Sequence, residues 1–318
     1  MTDERGVNTV ADVAFALLFV AAAVAVLSGY HFQEGAEHEP FDADRTAAVV
    51  GSATVNVSYS VEPTLESARS ELDPDRLSGE SGTRKPNHGE LRRITHGSIA
   101  ELAGAAAVAN LTRTGEDSER LTATGDRYAG ALDERVQSRL VGSQFETRIT
   151  ALWRPYDGAP LAGRVTVGAD PPPDEFVSTA ELTLASGFDP VRRQAIEAAE
   201  SGGYDAVAEI VASAIVRGYL PAKRSRYALE AGGARRTLAI YRYERMATIV
   251  DGTSSEAAVL DESLRRSRAD PRAANEYLAS GLAGELAADM ADRYENPLAA
   301  ARALSVGEVT VAVSTWEP

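Results

Sequence analysis

The sequence contains no cysteine. Disulfide staples, a thiol nucleophile and cysteine-ligated zinc or iron–sulfur centres are therefore excluded, and any folded part must rest on its packing. Lysine is almost missing too: Lys85 and Lys223 are the only two among 32 basic residues. Aromatic residues make up only 6%. No internal repeat or low-complexity tract runs through the chain, which sets aside solenoids and collagen-like rods. The catalytic patterns G-x-S-x-G, S-x-x-K and H-E-x-x-H are all missing, so no cofactor and no catalytic residue is assigned.

What is present is acid. Aspartate and glutamate number 47, for a net charge of −15. A strong acidic excess keeps a protein soluble where salt screens surface repulsion, as in a halophile. It also argues against nucleic-acid partners, which call for a basic footprint. Hydrophobic content of 44% over 318 residues is enough for a sizeable core.

Residues Val13–Tyr30 form an uncharged run of 18 residues. As a helix it would extend about 27 Å, close to the hydrocarbon thickness of a bilayer. The sequence therefore predicts a single membrane-spanning helix over 13–30, in contact with lipid. The stub 1–12 would lie in the cytoplasm or be a processed leader. An acidic linker would follow at 31–45, and the bulk of the chain would be outside the cell. The residues Arg5-Gly6-Val7-Asn8-Thr9-Val10, leading into the apolar run, resemble the processing region of archaeal type IV pilin-like proteins, haloarchaeal ones in particular. The resemblance implies cleavage after Gly6, leaving Val7 first, with the helix retained for packing among pilus or secretion-system subunits. Two features depart from the pattern. Ala11 stands where bacterial-type pilins carry an acid at the fifth mature position, and Pro40 would break a helix continued beyond the membrane.

From residue 46 to 318 the pattern predicts one α+β domain with an antiparallel sheet and a helix-rich section over 190–304. Thr46–Val61 alternates at Val55, Val57, Tyr59 and Val61 and reads as a strand. Glu62–Pro86 reads as a loop, and helices are expected over Ile94–Leu111 and Asp126–Val141. Phe145, Thr147, Ile149, Ala151 and Trp153 mark one face of a strand, with a return strand at Gly163–Val167 and a further one at Glu181–Ala185. Helices are expected over Pro190–Ser201, Tyr204–Arg217, Ala234–Thr248, Ser255–Ser267 and Pro271–Arg293, followed by a closing strand at Val306–Trp316.

Candidate sites are few. His31 and His38 lie among Glu34, Glu37, Glu39 and Asp42, but their spacing fits no ordered ligand scaffold, so no metal is assigned. His96 and Ser98 are two residues apart, which places them on different faces of a helix, and Thr95 or Ser98 is better read as a helix cap. Asn56-Val57-Ser58 and Asn110-Leu111-Thr112 match the glycosylation acceptor pattern. The clearest local feature is a reversal of charge. Between Arg217 and Arg245 eight basic residues face only Glu230 and Glu244, a local charge of +6 interleaved with tyrosines. Either these arginines pair with the chain's own carboxylates, or Arg235, Arg236, Tyr241, Arg242 and Arg245 form a docking patch for an acidic subunit or anionic lipid. The function expected is a non-enzymatic, membrane-anchored, pilin-like or accessory component of a surface appendage or secretion assembly. A cell-envelope structural or ligand-binding protein is the alternative, and a tethered hydrolase ranks third.

Overall fold

The structure, a computed structural model, describes residues 43–77, 86–114, 120–121, 124–140, 145–174, 176–251 and 258–317. It opens with helix α1 (Ala43–Ser52), whose buried face is Ala43, Ala47 and Val50. Strand β1 (Thr54–Ser60) follows, then α2 (Glu62–Glu71) and a short 3-10 turn at Pro74–Leu77. A single helical turn, α3 (His88–Leu91), feeds β2 (Arg92–Ser98), which pairs antiparallel with β1.

Helix α4 (Ile99–Ala109) lies at the centre of the fold. Ser98 caps it: the Ser98 hydroxyl accepts from the Glu101 N–H at 3.2 Å, and the Glu101 carboxylate accepts from the Ser98 N–H at 2.8 Å. The helix is alanine-rich and buried on nearly every side. Small residues allow that, because they let neighbouring backbones approach closely. At Gly163 an added Cβ would lie 2.1 Å from the Ala107 carbonyl oxygen, so α4 and the sheet leave room for hydrogen alone.

After α4 come β3 (Leu111–Arg113), α5 (Thr124–Leu140), β4 (Glu146–Trp153), β5 (Leu161–Gly168) and β6 (Ser178–Ala185). The helical section then runs through α6 (Arg192–Tyr219), α7 (Ala222–Ala231), α8 (Gly233–Asp251) and α9 (Ala258–Ser263). It ends with α10 (Pro271–Arg293) and α11 (Pro297–Arg302). Strand β7 (Glu308–Trp316) closes the fold. The larger sheet has the order β3-β5-β4-β7-β6 and is antiparallel throughout. Thr147, Ile149, Ala151 and Trp153 of β4 alternate into the core with Val309, Val311, Val313 and Thr315 of β7, as the period of two requires. Helices α1 and α4 pack on this sheet, while α5 covers β1. In the helical section α6 packs against α10 through Val207, Val211 and Ile215 on one side and Leu278, Leu282 and Leu286 on the other, all fully buried. Each such leucine contributes about 1.5–3 kcal/mol. Ala43–Pro318 make up one compact unit.

Several expectations are corrected here. The fold is α+β with antiparallel sheets, but the membrane-spanning helix is withdrawn: among the described residues no helix is long and apolar enough to cross a membrane. The long helices are too charged for it, α6 carrying Arg192, Arg193, Glu197, Glu200, Asp205, Glu209 and Arg217, and α10 carrying Glu276, Glu285 and Asp289 among others. The expectation of a single-pass membrane protein falls with it. The run expected to span, 13–30, lies outside the described residues, as do Arg5, Gly6, Val7, His31 and His38.

The linker expected over 31–45 gives way at residue 43 to α1. Thr46–Val61 is a helix and then a strand, because Ala43, Ala47 and Val50 recur at helical spacing. Glu62–Glu71, expected as loop, is a helix with Pro63 in its first turn that buries Thr64, Leu65 and Ala68. The helix expected from Ile94 begins instead at Ile99, and the residues before it are strand β2. The two helices expected on either side of Gly202-Gly203 form one element, broken where Gly203 takes φ +66°.

Candidate anion-binding groove

Helix α8 sorts its arginines by period. Arg235, Leu238, Ala239 and Arg242 recur at i, i+3, i+4 and i+7 and face a surface groove. Arg236, one residue on, turns inward, where its guanidinium donates to the Leu264 carbonyl at 3.0 Å and the Arg76 carbonyl at 3.4 Å. Tyr241 donates its hydroxyl to the Glu71 carboxylate at 3.1 Å, and Arg245 donates to the Arg120 carbonyl at 2.8 Å. Of the expected patch, then, Arg235 and Arg242 are brought together at the groove, whereas Arg236, Tyr241 and Arg245 tie the fold together. The bend that sets α8 against α7 is made at Gly232 and Gly233, at φ +73° and +62°, conformations that glycine adopts without strain.

Two further arginines complete the groove. Arg224 comes from the first turn of α7, and Arg93 from β2, far away in sequence. The result is two adjoining hollows. One, of about 330 Å³, is lined by Arg93, Arg224, Arg235 and Arg242 together with Tyr219, Ser225 and Tyr243. The other, of about 480 Å³, is lined by Glu90, Leu91 and Ala234 and shares Arg93, Arg235 and Leu238 with the first.

The electrostatics are one-sided. Arg93 donates to the Glu90 carbonyl at 2.9 Å and the Arg92 carbonyl at 3.1 Å. Arg235 donates to the Tyr227 hydroxyl at 3.1 Å, and its guanidinium lies 5.7 Å from that ring's centre. Among the described residues, none of Arg93, Arg224, Arg235 and Arg242 has a carboxylate within ion-pair distance. Arg242, like Arg93, Arg224 and Arg235, is exposed to the groove. Solvent still reaches its side chain through the groove, but the mass of protein around it pulls its pKa below the ordinary arginine value, while Tyr59 and Tyr219 act in the opposite sense. It remains a cation at any physiological pH. Burial raises the pKa of Tyr59 and Tyr219, so these rings stay neutral beside it.

Such an arrangement has the donor chemistry to hold an anion. Guanidinium groups offer planar pairs of donors that match a carboxylate or phosphate. Among the described lining residues the only carboxylate is Glu90, which accepts from the Asn87 N–H in a helix cap.

The remaining candidates are placed elsewhere. His96 Nδ1 pairs with Asn56 Oδ1 at 2.9 Å across the hairpin, while the Ser98 hydroxyl is committed to the cap of α4, so the two are not brought together for chemistry. Asn56 is exposed. Asn110 ends α4, donates to the Arg164 carbonyl at 3.3 Å and presses its amide oxygen against Gly125. Among the described residues no group of three or more acidic or histidine side chains is placed to hold a metal. Arg93 was beyond the reach of sequence reasoning, since nothing local ties it to α8. Arg224 stood among the eight basic residues and lacked only the helical register that would have set it facing the groove.

No curated protein and no solved structure matches the sequence. A family match does extend over residues 11–316, and the chain belongs to that family, a family of unknown function (DUF7284).

Proposed function

We propose that this protein is a non-catalytic accessory component of a larger assembly, and that its arginine groove receives an acidic group of a partner protein. The observation that carries the reading is the convergence of Arg93, Arg224, Arg235 and Arg242 without a carboxylate partner among the described residues, in a chain of net charge −15. With carboxylates so plentiful, arginines left unpaired together mark a surface fitted to a ligand. The lining offers hydrogen-bond donors and positive charge, the means of holding a group rather than transforming it.

The test is a titration of the full chain with a fluorescent acidic heptapeptide, Thr-Glu-Val-Glu-Val-Glu-Thr, at two salt concentrations. The double variant Arg235→Glu, Arg242→Glu should bind at least tenfold more weakly, since each charge-assisted bond contributes about 1.5–3 kcal/mol. The charge-matched control Arg193→Glu, Arg302→Glu, away from the groove, should bind like the parent. Molar salt reduces the Debye length to about 3 Å, so affinity should drop without vanishing, because the contacts are direct. Equal binding by both double variants would defeat the reading.

A further inference from the structure

Among the described residues strand β2 pairs with β1 alone, and its other edge is open. The bonds at both ends of the hairpin fix which residues face which way. Val61 N–H donates to the Leu91 carbonyl at 2.9 Å, and Ile99 N–H to the Ala53 carbonyl at 3.1 Å, both in register with the β1–β2 ladder. Antiparallel ladders alternate, so Leu91, Arg93, Thr95 and Gly97 turn their backbone groups to β1, and Arg92, Ile94, His96 and Ser98 turn theirs away. Arg92 is satisfied at both groups, its N–H by the His88 carbonyl and its C=O by the Arg93 guanidinium. The Ser98 N–H is taken by Glu101. Ile94 and His96 keep their N–H and C=O groups without a partner among the described residues, and the Ile94 side chain is 67% exposed.

This edge adjoins the groove. Tyr59, Val61 and Leu91 pack with Ala234 and Leu238 of α8, so the hairpin face that carries Arg93 is the one turned to α8. Arg93 is the only β2 residue lining the hollows, and no β1 residue lines either of them, so the groove lies on the Arg93 face of the hairpin at β2 rather than at β1. A strand added at the open edge would lie about 4.8 Å from β2. Its inward side chains, alternating with outward ones, would enter the space walled by Arg93, Arg235 and Arg242.

We infer that the groove and the β2 edge form one site, the vacant third-strand position of the hairpin sheet. Its ligand is an extended segment of a partner protein, with acidic residues at alternate positions, that pairs with Ile94 and His96. The backbone bonds provide affinity and the inward carboxylates, set against the arginines, provide selectivity. This rests on the docking reading above and deepens it.

The test varies the peptide and leaves the protein unaltered. The heptapeptide is compared with a version N-methylated at alternate residues on its pairing edge, which keeps every charge and removes the strand's donors. The proposal expects at least tenfold weaker binding of the N-methylated peptide. It also expects hydrogen exchange at the Ile94 and His96 amides to slow at least tenfold when the unmodified peptide is bound. Equal affinity of the two peptides with unprotected amides would overturn strand addition while leaving the docking reading intact. Equal binding of the peptide by the two double variants of the docking test would bring down both. Binding to phosphatidylglycerol vesicles, or to inorganic phosphate alone, with no binding of the peptide would overturn the proposal in favour of a non-peptide anion.

Discussion

Arg236 is a guanidinium brought inside the protein, only 6% exposed, and it persists because carbonyls at Leu264 and Arg76 meet its donors. Its neighbour Arg235 leans on Tyr227 at the surface. Replacing each by alanine should separate the two roles. Arg236→Ala should lower unfolding free energy by about 1.5–3 kcal/mol, as expected for hydrogen bonds to a charged group. Arg235→Ala should stay within about 0.5 kcal/mol of the parent, as surface changes do. Urea unfolding of both variants checks this. At this scale the sequence was legible in part. A dense run of arginines was plain, and helical spacing separates 235 and 242 from 236. What spacing could not show was the third wall, because Arg93 reaches the groove only through the pairing of β2 with β1.

Among the elements, the cap on α4 is the most consequential single joint, because that helix touches both sheets. Ser98→Ala removes one half of its capping box and should cost about 1 kcal/mol, read as a lower thermal midpoint; Ser98→Asp, which keeps an acceptor, should recover most of it. Ser98 was legible as a cap because a serine followed three residues on by glutamate precedes an apolar run. Strands β4 and β7 were legible because half-buried strands alternate. Strand β2 was not. Its residues, Arg92-Arg93-Ile94-Thr95-His96-Gly97-Ser98, bury little, and they are extended because β1 holds them so, a long-range cause with no local mark. Helix α2 was hidden for a related reason, its polar composition concealing the small face of Thr64, Leu65 and Ala68.

For the whole molecule, the buried aromatic residues among those described include Trp153, Tyr156, Tyr219, Tyr243 and Trp316. Trp153, Phe188 and Tyr219 meet edge to face, and burial raises the pKa of Tyr59, Tyr128, Tyr156, Tyr219 and Tyr243, that of Tyr243 up to about 12. In the unfolded chain these phenols ionise near 10. Folded pKa values above the unfolded one mean that the native state holds its protons longer. The stabilisation is therefore complete below pH 10 and lost as pH climbs through the folded values. Stability should be level from pH 8 to 9.5 and then fall by about 1.4 kcal/mol per pH unit for each tyrosine still protonated. Denaturant unfolding at stepped pH, with phenolate absorbance at 295 nm, reads both the slope and the tyrosines that resist ionisation. The α+β class was legible from alternation giving way to helical spacing, whereas the membrane span was read from a run outside the described residues, and no described helix supplies one.

The place of β7 in the larger sheet has a consequence for how the protein is made. Thr150 of β4 finds its partner in Ala312, and β6 finds its own in the same strand, yet the whole helical section is translated between them. While the ribosome is still reading α6 to α11, the nascent chain carries two strands with bare edges and an apolar face waiting for a neighbour. Such edges recruit other chains when left open. The larger sheet is thus completed only once the codons of β7 have been read, and a polypeptide stalled before Glu308 would be a client for chaperones rather than a shorter version of the same protein.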